Sequence, residues 1–182
     1  MSRIPTPATI AEAPEATRPQ LEAVQKQLGS VPNLFRLLAS SPAALNGYLG
    51  LSGALGKGAL DVRTRERIAL AVAEFNGCGY CLAAHAFIGA NMAKLDAAEI
   101  AAARAGRSAD PKADAAVRFA IAVTEARGRA ADADLAAVRA AGWSDAEILE
   151  IVAHVALNTL TNYVNEVART EVDFPAPAAR AA

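Results

Sequence analysis

Apolar residues recur three and four positions apart along most of the chain, and no stretch alternates as a half-buried strand does. The pattern predicts an all-α protein. Leu21, Val24 and Leu28 form a first amphipathic stretch stopped by Gly29, and Leu34, Leu37 and Leu38 a short second one after Pro32. Ser41-Pro42 reads as an N-cap followed by proline at the first helical position. That helix carries Leu45, Tyr48, Leu49 and Leu51 toward Gly56 or Gly58. Thr64, or Asp61 before it, opens the next, which Asn76-Gly77 interrupts. Cys81, Leu82, His85, Ile88 and Met92 then share a face.

Asp96-x-x-Glu99 and Ser144-x-x-Glu147 have the capping-box spacing, with Trp143 and Ile148 placed as a hydrophobic staple around the second. Pro111 opens a helix, Asp132 or Asp134 a short one, and a long last helix is expected from about 145 to 171. The chain divides into an Ala/Pro/Thr-rich arm over 1–17, one helical domain over 18–173 and a tail over 174–182.

Composition narrows the partners. Eighteen basic and 19 acidic residues give a net charge of −1, so no electrostatic surface favours nucleic acid or an anionic membrane. No apolar run is long enough to span a bilayer, and the first residues lack the apolar core of a secretory leader. A soluble, cytoplasmic protein is expected. With 53% hydrophobic residues the chain holds more apolar surface than one subunit hides, so a homo-oligomer is expected too.

Both cysteines of the protein lie in Cys78-Gly79-Tyr80-Cys81, and His85 follows one turn later. In a reducing compartment such a pair is more often catalytic or metal-binding than a structural staple. The short loop it closes would also constrain the unfolded chain little. On a helix, Cys78 and Cys81 lie on nearly the same face, with His85 stacked above Cys81. A sulfur in a helix's first turn meets the positive end of the dipole, which favours Cys78 as thiolate; the adjacent imidazole favours Cys81. Glu66 sits on the preceding helix, about 18 Å from Cys78 along a straight axis. It reaches the imidazole only if the two helices fold back across Asn76-Gly77. Glu74 is nearer in sequence and competes with it. Two plainer readings stand beside these. Cys78, Cys81 and His85, with Glu66 or water, supply zinc-type ligands, although no second Cys/His cluster completes a closed site. Glu66, inside Arg63-Thr64-Arg65-Glu66-Arg67, also fits a solvated ion-pair role.

Glu66, eleven residues, Cys78-x-x-Cys81, three residues and His85 resemble the core signature of the carboxymuconolactone decarboxylase superfamily, in its alkyl hydroperoxidase D-like branch. Val31-Pro32-Asn33-Leu34-Phe35, and Asn162-x3-Glu166 through Asp173-Phe174-Pro175, resemble its peroxidase-related subgroup. The likeness spans roughly residues 20–175. It implies an all-helical bundle, assembled as trimers or hexamers, that acts as a thiol-dependent peroxidase. It further implies Cys81 as the peroxide-attacking sulfur, Cys78 as the resolving one, and His85 with Glu66 as a proton relay. The expected partners are a hydroperoxide and a dithiol reductant, lipoyl-type or thioredoxin-like, with no metal, flavin or haem. Tyr80 stands where the hydroperoxidase has a histidine, which bears on its relay, and the superfamily's decarboxylases typically lack the CxxC pair.

Two other classes stay in view: an acid–base enzyme using His85 and Glu66 on a small organic acid, and a redox-sensing oligomeric module. His154, Asn158 and Asn162, with Thr161 and Asn165 beside them, form a polar stripe on the last helix. Such a stripe reads first as a hydrogen-bonded seam between helices or subunits, and second as support behind the thiols or a lining of the substrate pocket. Tyr80 is expected to pack beside the thiols, Trp143 in the core, and Met92 and Phe87 in core or interface.

Overall fold

Capping chemistry sets most of the helix boundaries. The computed structural model describes residues 2–176. Among them run nine helices and no strand: α1 (Arg18–Leu28), α2 (Asn33–Leu38), α3 (Pro42–Leu55), α4 (Val62–Phe75), α5 (Gly79–Asn91), α6 (Ala97–Arg104), α7 (Pro111–Glu125), α8 (Asp132–Ala140) and α9 (Asp145–Ala168). Gly29 ends α1 in the left-handed region at φ +77°, where a side chain is strained. Ser41 accepts from the Ala44 amide ahead of Pro42. Asp61, rather than Thr64, caps α4 by accepting from the amides of Arg63 and Thr64. Ser144 and Glu147 close a reciprocal capping box, with Trp143 and Ile148 buried in one cluster beside it.

Three boundaries depart from expectation. Asp96 accepts from the Glu99 amide, but the Glu99 carboxylate does not return the bond. It turns inward to Arg67 Nε at 2.6 Å, the Ala109 amide at 3.1 Å and the Ser108 hydroxyl, because a buried carboxylate needs a countercharge more than a cap. The last helix stops at Ala168, three residues early, where Arg169 turns left-handed at φ 50°. The thiol-bearing helix ends at Asn91, so Met92 leaves its face and is 61% exposed; Phe87 also points outward.

α4 runs through the middle and packs against α5, α6, α7 and α9. Its Ile68, Leu70 and Val72 are fully buried, each contributing about 2 kcal/mol by leaving water. One apolar cluster gathers Leu21, Leu34, Leu38 and Leu45 around Tyr80 and both cysteines. A second gathers Val72, Phe119 and Ile151 around Trp143 and Ile148. Glu150 of α9 accepts from the amides of Ala59 and Leu60, clamping the α3–α4 loop; its carboxylate sits where a Gly58 side chain would be.

Residues 2–17 lie against this body. The Arg3 amide donates to the Ala168 carbonyl, Ala13 is buried, and Thr17 donates to the Ala39 carbonyl. Of the expected tail, residues 177–182 lie outside the described residues, while Phe174 packs edge-on to Tyr80 at 5.8 Å and beside Phe87 at 6.0 Å.

The Arg67–Glu99 pair joins α4 to α6, and both side chains are under a tenth exposed. Arg67→Met should strand the carboxylate and cost about 3 kcal/mol in urea unfolding. A loss within the scatter of surface substitutions would make the pair incidental.

Candidate active site

The site is made by a reversal of the chain. Asn76 caps α4, Gly77 follows at φ +70°, and the Cys78 amide donates to the Ala73 carbonyl at 2.9 Å. Only a residue without a β-carbon takes Gly77's conformation at little cost. The reversal lays α5 back along α4 and brings Glu66 to His85, with Oε2 2.8 Å from Nδ1. The fold-back required of Glu66 is therefore present. Glu74, the competing carboxylate, pairs with Arg104 of α6 at 2.7 Å.

Cys78 is the N-cap of α5, and its sulfur accepts from the Cys81 amide at 3.3 Å. Both thiols are free, with the sulfurs 2.8 Å apart. Asn165 of α9 donates through Nδ2 to Cys81 Sγ at 3.3 Å. Asn162, one turn earlier, holds its oxygen on Asn76 Nδ2 at 2.8 Å. The polar stripe of α9 is thus buried, and its Asn162–Asn165 end meets the thiols.

These contacts divide the two sulfurs electrically. The Cys81 thiol is lowered to about 6, mainly by the hydrogen bond from Cys78, with His85, Asn165 and Asn162 outweighing burial. Cys78 is driven far up by that same bond, by burial and by the charge of Cys81. These opposite shifts favour Cys81 as the thiolate and Cys78 as the thiol beside it. Burial alone would lower His85, but the Glu66 carboxylate overrides it and raises the imidazole. His154 behaves oppositely: burial and Arg65 lower it to about 4, so it is neutral near pH 7.

Neither sulfur faces solvent. At the relay the His85 and Glu66 side chains are 22% and 13% exposed. Tyr80 is tied down by accepting from the Leu34 amide at 3.1 Å. Tyr48 had no signal beyond its apolar-face position, yet burial pushes its phenol up to about 12, with the charges of Cys81 and Glu66 adding to the push. Among the described residues no group of three His, Cys, Asp or Glu is arranged to hold a metal ion.

Residues 42–126, from α3 through α7, match the carboxymuconolactone decarboxylase family. An uncharacterized peroxidase-related protein of Ralstonia eutropha JMP134, with an alkylhydroperoxidase AhpD core, superposes with a TM-score of 0.84 at 28% identity, covering 94% of this chain and 92% of that one. Residues 42–126 thus carry the family's domain, and over its length the chain is similar to alkyl hydroperoxidase D-like, peroxidase-related proteins. A second member of this peroxidase-related group, from Silicibacter sp. TM1040, gives a TM-score of 0.79 at 26% identity over 92% and 91% of the two chains. The debrominase Bmp8, in a cysteine-to-alanine variant bound to 2,3,4-tribromopyrrole, shares the fold at 19% identity, with a TM-score of 0.78 over 92% and 90%. No curated protein matches the chain in sequence. All-helical architecture and family thus agree with the resemblance in the CxxC region.

A thiol lowered to about 6 is ionised above that pH, so single-turnover alkylation by iodoacetamide should rise as pH climbs through about 6 and then level off. Glu66→Gln removes the charge that keeps His85 protonated, and the midpoint should move up. An unmoved midpoint in stopped-flow alkylation would return Glu66 to a surface-charge role.

Proposed function

We propose that the protein is a thiol-dependent peroxidase in which Cys81 attacks the peroxide and Cys78 resolves it. The observation that carries the reading is the 2.8 Å sulfur pair beside a carboxylate-backed imidazole, an arrangement that lowers the Cys81 thiol and raises Cys78. A thiolate is the nucleophilic form of cysteine, and one poised just below ambient pH combines ionisation with reactivity.

The Cys81 thiolate attacks the distal oxygen of a hydroperoxide. The sulfur–oxygen bond forms as the oxygen–oxygen bond breaks, and the departing alkoxide takes a proton from the His85 imidazolium. Cys81 becomes a sulfenic acid and the peroxide an alcohol. The Cys78 sulfur then displaces hydroxide, which leaves as water once protonated, and the disulfide forms. A dithiol, lipoyl-type or thioredoxin-like, returns both thiols by exchange. Glu66 orients His85 and holds it as imidazolium. Both sulfurs are buried, so we place the oxidant's approach at the partly exposed His85 and Glu66. A cytoplasmic setting suits a pair that must be kept reduced; no helix among the described residues is long and apolar enough to cross a membrane.

An acid–base enzyme would use the same imidazole and carboxylate but leave the thiols unconsumed. The lowered Cys81 favours the thiol reading, because acid–base work gives no reason to hold a buried sulfur charged. A redox sensor would form the disulfide without rapid turnover by a dithiol.

The outer face of α9 supports self-assembly. Leu160, Tyr163 and Val167 are all more than 40% exposed on it and border an apolar groove shared with α7. We take this face to be where copies of the chain meet, as the family resemblance implies. Leu160→Glu should lower the mass seen by sedimentation; an unchanged mass would move the interface elsewhere.

Cys81→Ser should abolish peroxide consumption. Cys78→Ser should yield one equivalent of sulfenic acid and then stop, read by dimedone labelling and mass spectrometry. Peroxide removal by Cys81→Ser at the parent rate would sink the assignment.

A further inference from the structure

Two buried amide atoms beside Cys81 make no hydrogen bond within the protein: Asn162 Nδ2, a donor, and Asn165 Oδ1, an acceptor. Both residues are nearly inaccessible, at 0% and 2% exposed. Their other amide atoms are committed. Asn162 Oδ1 accepts from Asn76 Nδ2, and Asn165 Nδ2 donates to the Cys81 sulfur. With the amides so oriented, one atom of each is left free. Asn162 nonetheless lies close enough to Cys81 to favour its thiolate. One sulfur is thus flanked by an unmade donor and an unmade acceptor, and leaving either unmade in a buried place is costly.

A thiolate has no proton to give, so in the reduced protein Cys81 cannot satisfy Asn165 Oδ1. A hydroxyl on oxygen can do so, and the same oxygen can accept from Asn162. Building on the peroxidase reading, we propose that Asn162 and Asn165 are catalytic: their amides cradle the oxygen that a hydroperoxide delivers to Cys81 and hold it through the sulfenic acid. In the approaching peroxide, the terminal O–H donates to Asn165 Oδ1 and the terminal oxygen accepts from Asn162 Nδ2. The sulfur–oxygen bond forms, the oxygen–oxygen bond breaks, and the electron pair leaves on the alkoxide, which His85 protonates. The hydroxyl stays on the same two amides as Cys81–SOH. Donors set beforehand at the place where oxygen changes partners favour the transition state over the bare thiolate. Asn76, which holds Asn162 in register, is a positioning residue.

Asn162→Leu and Asn165→Leu should be compared with the parent in two stopped-flow reactions at a pH well above the Cys81 midpoint. One is sulfenic acid formation from hydrogen peroxide and from cumene hydroperoxide; the other is alkylation by iodoacetamide, which needs the thiolate but transfers no oxygen. The cradle requires the peroxide rates to fall about 100-fold while alkylation falls far less. Equal losses in the two reactions, as expected if the amides serve only the thiolate or hold a structural water, overturn it. So do unchanged rates. A parent that forms no sulfenic acid sinks the peroxidase reading and the cradle with it, whereas a reactive parent with parallel losses sinks the cradle alone. If the leucine variants unfold by circular dichroism, Asn76→Ala at its half-buried position carries the test. A selective loss with peroxide, smaller than that of the leucine variants, upholds the cradle, and a parallel or absent loss overturns it.

Discussion

The reversal at Asn76-Gly77 is the constraint on which the rest of the site depends. Gly77's left-handed backbone turns the chain between α4 and α5, and three contacts follow from that one bend. Glu66 meets His85, Cys78 becomes the cap of its helix, and Asn76 reaches across to Asn162. A wider turn would separate the carboxylate from the imidazole without disturbing either helix. Charge, geometry and chemistry at the thiols thus descend from a backbone conformation that glycine adopts without strain.

Burial makes the electrostatics decisive. Water cannot solvate a charge on Cys81, so the neighbouring dipoles and the bond from Cys78 set its state. Helix position alone would have favoured Cys78, the residue nearest the positive end of α5. Accepting the Cys81 amide also favours a charge on Cys78, but the bond between the two sulfurs and burial outweigh it and push Cys78 up. Local hydrogen bonds at about 3 Å outweigh a dipole spread over a whole helix turn.

Much of this was legible in the residues themselves. The spacing of Ser41-Pro42 and Ser144-x-x-Glu147 located helix starts, and narrowed a third to Asp61 or Thr64, because caps act over three or four positions and need no tertiary knowledge. The motif around Cys78, Cys81 and His85 was legible for the same reason. Long-range choices were not. Glu99 has the spacing of a cap and the role of a buried counterion, because Arg67 arrives from thirty-two positions away. Glu66 and Glu74 were hard to rank, since each pairs with a residue on another helix, His85 and Arg104 respectively. The α9 stripe read first as a seam, and its contact with Cys81 spans eighty-four positions that no local pattern encodes.

α9 presents amides to the sulfur on one side and bare apolar side chains on the other. A helix is stiff, so the two sides cannot shift independently. Rotating it even slightly to improve a fit at Leu160 or Tyr163 would swing Asn165 off the thiol. Drift in the outward residues is therefore confined to changes that leave the rod's roll angle alone, and substitutions far from any reactive atom will be read out in sulfur chemistry.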